Sequence, residues 1–133
     1  MRLHTGVDII EIDRIASALE RWGERFLKRI YTDHEVSFSR GRIPQLAGRF
    51  AAKEAMMKAL GTGRYGVSWR EIGVGREHGQ APRIVLTGRA LARSQLMDLG
   101  TISVSISHSR NYAVAVVVCS NYEYCYDSGN QGS

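Results

Sequence analysis

Near the end of the chain, Ile102, Val104 and Ile106 alternate with Ser103, Ser105 and Ser107. A period of two gathers the apolar side chains on one face only if the backbone is extended. A turn at 109–111 leads into Tyr112-Ala113-Val114-Ala115-Val116-Val117-Val118, so the two segments read as a hairpin. A lone two-stranded hairpin is marginal in water, and its apolar face needs a cover built earlier in the chain.

Residues 3–9 supply another short strand, with polar positions at His4, Thr5 and Asp8. Asp13 is placed to cap a first helix in which Ile15, Leu19, Trp22 and Phe26 recur at helical spacing and should face the core. Thr32 and Glu35 spell a T-x-x-E capping box for a short second helix. Pro44 can open a third helix, which Gly61 stops. Residues 61–66 form a turn, and 67–74 and 83–86 are strand candidates joined by a loop. Thr87 can cap a fourth helix that ends before Gly100. The expected fold is α+β, with helices on one face of a mainly antiparallel sheet. It forms one domain over residues 1–119, followed by a polar, Gly-rich tail over 120–133.

A chain of 133 residues is the size of one domain and buries a smaller share of its surface than a large enzyme. A site shared between subunits is therefore plausible. The longest apolar run, 113–119, falls far short of the roughly 18–20 residues that cross a bilayer. Acids at Asp8, Glu11 and Asp13 break any export-signal pattern, so the expectation is cytoplasmic, with Cys119 and Cys125 as thiols. The net charge of +5 favours an acidic partner without choosing among nucleic acid, an anionic membrane, a phosphorylated small molecule and an acidic protein.

Four features could carry chemistry. On the third helix, Phe50, Glu54, Met57 and Lys58 share one face, and the two core-like residues carry Glu54 and Lys58 toward the interior or a cleft. The bland reading is a solvated i, i+4 pair. Arg49 and Lys53 lie on an adjoining strip. Asp8 ends an apolar strand; it terminates that strand, or it offers a carboxylate to a cation. Magnesium needs only one or two protein carboxylates when phosphates and waters complete its shell. In Ser105-Ile106-Ser107-His108-Ser109, hydroxyls and an imidazole meet where a strand enters a turn, as a hairpin end or as a phosphate nest. A Ser-His hydrolase is disfavoured, because sequence neighbours on a strand point to opposite faces. Finally, Arg14, Arg21, Arg25 and Lys28 line one side of the first helix, either a solvated face or a ridge for an acidic partner helix. No helix-turn-helix pattern or interleaved aromatics argue for nucleic acid.

In order, Gly6-Val7-Asp8, then Phe50-Ala51-Ala52-Lys53-Glu54-Ala55 with Lys58, then Ser105-Ile106-Ser107-His108-Ser109, resemble the holo-acyl-carrier-protein synthases over residues 3–118. The resemblance implies transfer of 4′-phosphopantetheine from coenzyme A to a serine of an apo acyl carrier protein, in fatty acid biosynthesis. Adenosine 3′,5′-bisphosphate is released. It implies magnesium held by Asp8 and Glu54, with Lys58 at the pyrophosphate. Arg49, Lys53, Ser107, His108 and Ser109 help hold coenzyme A, and Arg14, Arg21 and Arg25 receive the carrier protein. A homotrimer with sites between subunits follows, with no nucleic acid or membrane partner. The serine proton goes to Glu54 or to a metal-bound water, the water being preferred. The loop His78-Gly79-Gln80-Ala81-Pro82 departs from the family's Gly-x-Pro with a preceding Asn or Asp. Other readings are a polyketide or peptide synthetase carrier, a basic adaptor, and a structural subunit.

Overall fold

The computed structural model describes residues 2–76 and 79–121. The hairpin is β4 (Leu99–His108) and β5 (Tyr112–Asn121), and β1 (Leu3–Glu11) pairs antiparallel with the other edge of β5. One face of this sheet carries Gly6, Ala113, Ala115 and Val117, all buried. The long helix α4 (Ile43–Leu60) lies across that face. Its Pro sits in the first turn, and Gly61 ends it in the left-handed region at φ 74°, as Pro44 and Gly61 suggested.

Small residues set how closely the helix approaches. A Cβ on Gly6 would overlap the Ala55 carbonyl oxygen, and one on Gly48 would lie 2.9 Å from the Ile106 side chain. Helix α4 therefore crosses β4 in its first half, at Gly48, and β1 in its second half, at Ala55 and Ala59. That crossing positions everything that follows.

The remaining elements are α1 (Ile12–Trp22), α2 (Glu24–Ile30), α3 (Asp33–Ser39), β2 (Ile72–Gly75), β3 (Arg83–Leu86) and α5 (Gly88–Leu96), with β2 and β3 forming a second, two-stranded antiparallel sheet. The α+β expectation holds, and the Thr32–Glu35 capping box is formed in both directions.

Several local expectations need correcting. The first helix is two helices, because Gly23 adopts φ 55° and ψ −130°, a backbone state that glycine reaches without a Cβ clash. Trp22 is consequently half exposed rather than in the core. Asp13 lies in the first turn of α1, behind a Glu11 N-cap without a side-chain bond. Residues 67–71 are not strand: Ser68 and Glu71 close a second capping box around a 3-10 turn, Trp69–Glu71. Thr87 makes no capping bond; Glu71 accepts from the Arg89 amide instead. Ser120 and Asn121 continue β5, and residues 122–133, including Cys125, lie outside the described residues. Cys119 is a buried thiol, raised to about 11 by burial.

Candidate active site

Where α4 meets β1, Asp8 comes up beside Glu54 and Lys58. Asp8 faces the helix side of the sheet, two residues beyond the Gly6 contact and paired with Ala115. The Lys58 ammonium donates to the Val7 carbonyl at 2.9 Å and to Asp8 Oδ1 at 3.3 Å. Burial raises the Asp8 carboxyl above the usual carboxylate range, with Lys58 and then Arg14 opposing it. Burial also raises Glu54, and the Asp8 charge pushes it further, against Arg64 and Lys58. For both carboxylates the loss of water outweighs the cations nearby, so the charged forms are incompletely compensated.

A cation between the two would offset the lost hydration and their mutual repulsion, so the pair fits a hard divalent ion. No group of three or more His, Cys, Asp and Glu that could hold a metal gathers among the described residues. An ion here would take most of its ligands from water or substrate oxygens, which suits magnesium.

Arg49, Ser107 and His108 assemble elsewhere. With Gln45, Arg76 and Pro82 they line a cavity of about 280 Å³ beneath the start of α4. Arg49 is buried; it donates to Gln45 Oε1 at 3.0 Å and stacks over Phe38 at 4.6 Å, but its Nε has no partner. Burial lowers Arg49, and Arg76 and Arg42 crowd it with like charge. Glu35 opposes that shift, and a buried guanidinium with an unpartnered nitrogen facing further arginines has the chemistry to take an anion.

Within one chain the two clusters point apart. Arg49 and Glu54 are five residues apart on α4, roughly 140° around the helix axis.

One expected coenzyme A contact is corrected. Lys53 is fully buried, with Nζ donating to the carbonyls of Ile72 at 2.6 Å and Trp69 at 3.1 Å, and 2.8 Å from Glu35 Oε1. Burial lowers this ammonium and Glu35 opposes the shift. Three interior partners leave it unable to reach a ligand. Ser109 closes the hairpin turn: its amide donates to the Tyr112 carbonyl and its hydroxyl accepts from the Tyr112 amide. Ser109 stays exposed beside His108, and Ser107 and His108 line the cavity.

Arg14 and Arg21 remain on one exposed face of α1, but Arg25 belongs to α2. Both Arg21 and Arg25 lie over the Trp22 ring, at 5.1 and 5.9 Å. Beside them Trp22, Phe26, Phe50 and Trp69, with Arg25, Arg29 and Arg64, line a groove of about 510 Å³. Sequence reasoning missed Arg64, Arg29 and Trp69 here. Arg64 faces both groove and Glu54, and only its place in the glycine-flanked turn after α4 hinted at that.

Comparison with known proteins adds an independent finding. Residues 4–117 match the 4′-phosphopantetheinyl transferase superfamily. The chain is 46% identical to a holo-[acyl-carrier-protein] synthase of Koribacter versatilis, over 89% of this chain and 98% of that one. It is 49% identical to one from Dehalococcoides mccartyi, over 87% and 97%. Among solved structures, the Helicobacter pylori holo-[acyl-carrier-protein] synthase in complex with coenzyme A superposes with a TM-score of 0.80 at 33% identity, covering 87% of this chain and 99% of that one.

Proposed function

The chain belongs to the 4′-phosphopantetheinyl transferase superfamily, and from that premise we propose that it is a holo-acyl-carrier-protein synthase working through the Asp8–Glu54–Lys58 cluster. It transfers 4′-phosphopantetheine from coenzyme A to a serine of an apo acyl carrier protein. The serine oxygen bonds to the phosphorus that bears pantetheine, the pyrophosphate P–O bond breaks, and adenosine 3′,5′-bisphosphate leaves. The observation that carries this reading is the convergence of two carboxylates and one ammonium at the Gly6–Ala55 crossing.

Asp8 and Glu54 would hold magnesium, which when bound offsets the charge of the pyrophosphate and orders its oxygens. Lys58, half exposed and anchored by the Val7 carbonyl, adds a fixed positive charge where charge grows on the leaving group. The cavity under Arg49, with Arg76 and His108, suits the phosphate of the adenosine end. Arg14 and Arg21, continued by the Arg25–Arg29–Arg64 groove, suit an acidic helix that presents apolar side chains.

The division into two clusters supports a shared site. On the sheet face away from α4, Leu3, Val7, Ile9, Val116 and Val118 are exposed at 60%, 55%, 63%, 40% and 38%. Such a contiguous apolar face marks an interface. The proposed assembly is a homotrimer joined there, with the Arg49 cavity of one subunit serving the Asp8, Glu54 and Lys58 of its neighbour. A cytoplasmic enzyme of fatty acid biosynthesis is the setting that fits. No helix among the described residues is long and apolar enough to cross a membrane.

The test is intact-mass spectrometry of an apo acyl carrier protein incubated with the enzyme, coenzyme A and magnesium. One phosphopantetheine adduct per carrier is expected. A folded enzyme that modifies no fatty acid, polyketide or peptide synthetase carrier refutes the reading.

A further inference from the structure

Glu35 and Lys53 are a buried ion pair in which both side chains are fully enclosed. Stability alone is a weak reason for such a pair, since apolar residues of similar volume often serve as well or better. Their hydrogen bonds suggest another reason. Glu35 accepts from the Thr32 amide at 2.9 Å and from the Val74 amide at 2.5 Å; Lys53 donates to the carbonyls of Trp69 and Ile72. Among the described residues, sheet β2–β3 has no third strand. On the β2 edge that faces α3 and α4, the pair takes the amide and the carbonyl that a neighbouring strand would have taken.

The clamp reaches the groove through Trp69. Its carbonyl is tied to Lys53, and its ring stacks on Phe50 at 4.8 Å and 26°. Phe50 stands one helical turn before Glu54, and both rings line the groove. We propose that Glu35 and Lys53 are positioning residues that hold the Trp69–Phe50 wall of the groove in shape for an acidic, apolar-faced carrier helix. This rests on the transferase reading above. The pair touches no substrate. Its role is to fix the backbone of 69–74, so its loss weakens carrier binding and leaves coenzyme A binding untouched.

Two measurements on Lys53→Met test this. In a Trp22→Phe background, Trp69 is the single tryptophan, and its fluorescence should become more accessible to acrylamide when Lys53 is replaced. In the otherwise native protein, KM for the carrier should rise about fivefold or more, with kcat and the coenzyme A KM unchanged. Ile102→Ala, partly buried against the core toward the start of β4, provides a control for lost stability alone. Unchanged quenching, unchanged carrier KM, or an equal rise in Ile102→Ala overturns the proposal. Should Lys53→Met fail to fold, Glu35→Gln is read by the same criteria. If the native protein transfers nothing, the transferase reading falls, and the quenching measurement still decides whether the pair fixes Trp69.

Discussion

Replacing Gly6 by alanine tests how tightly the fold and the site are joined. The added methyl would overlap the Ala55 carbonyl oxygen, lie 2.8 Å from the Ala55 carbonyl carbon and 3.0 Å from the Ala59 nitrogen. Ordinary carbon contacts are about 3.5–4.0 Å, so α4 must withdraw from β1 by roughly 1 Å or more, the overlap with the Ala55 oxygen setting the larger requirement. Every atom in the way is helix backbone, which cannot yield as a side-chain tip does. Overpacking of this kind costs about 1–3 kcal/mol, a fall of about 3–12 °C in Tm for a domain of this size. The same displacement pulls Glu54 and Lys58 from Asp8, and a 1 Å misplacement of reacting groups can cost about 10²-fold in rate. Thermal unfolding and initial transfer rates at saturating substrates measure the two effects. A Gly6→Ala protein with native Tm and native rate would refute the crossing as what builds the site.

Removing the ammonium in Lys58→Met should lower transfer about 10²-fold or more near neutral pH. Lys58 opposes the burial that raises Asp8, so without it the carboxyl keeps its proton to higher pH and the acid limb of the rate profile moves upward. An acid limb that stays put or moves down rejects the pairing. Ile9→Arg places a charge on the exposed apolar sheet face. Sedimentation should then show a folded monomer with little activity, and a trimer that persists would reject that face as the contact. Exchanging Arg14 and Arg21 together for glutamate should raise the carrier KM about tenfold or more, leave the coenzyme A KM alone and weaken the salt dependence. An unchanged carrier KM rejects the docking face.

Those tests rest on features that differ in how plainly the sequence wrote them. The hairpin was legible because the period of two in Ile102, Val104 and Ile106 has one structural meaning. Helix α4 was legible from Pro44 and Gly61, and Thr32 and Glu35 from their spacing. The break at Gly23 was hidden, since Trp22 and Phe26 keep an i, i+4 spacing across it. The 3-10 turn was misread as strand although Ser68 and Glu71 repeat the capping pattern of Thr32 and Glu35. The resemblance places Lys53 at coenzyme A, but its partner Glu35 lies on another helix, and only the folded chain brings the two together. Spacing could not join Asp8 to Glu54. The crossing at Gly6 does, together with the absence of a side chain there.

The account turns on Asp8 and Glu54 holding one divalent ion. Titration of the protein with manganese in the presence of coenzyme A, followed by the electron paramagnetic resonance of the free ion, measures this directly. The native protein should remove one ion per chain from solution, and Asp8→Asn and Glu54→Gln, folded as judged by circular dichroism, should each bind it about 10-fold or more weaker. Native affinity in either variant would contradict the assignment of that carboxylate.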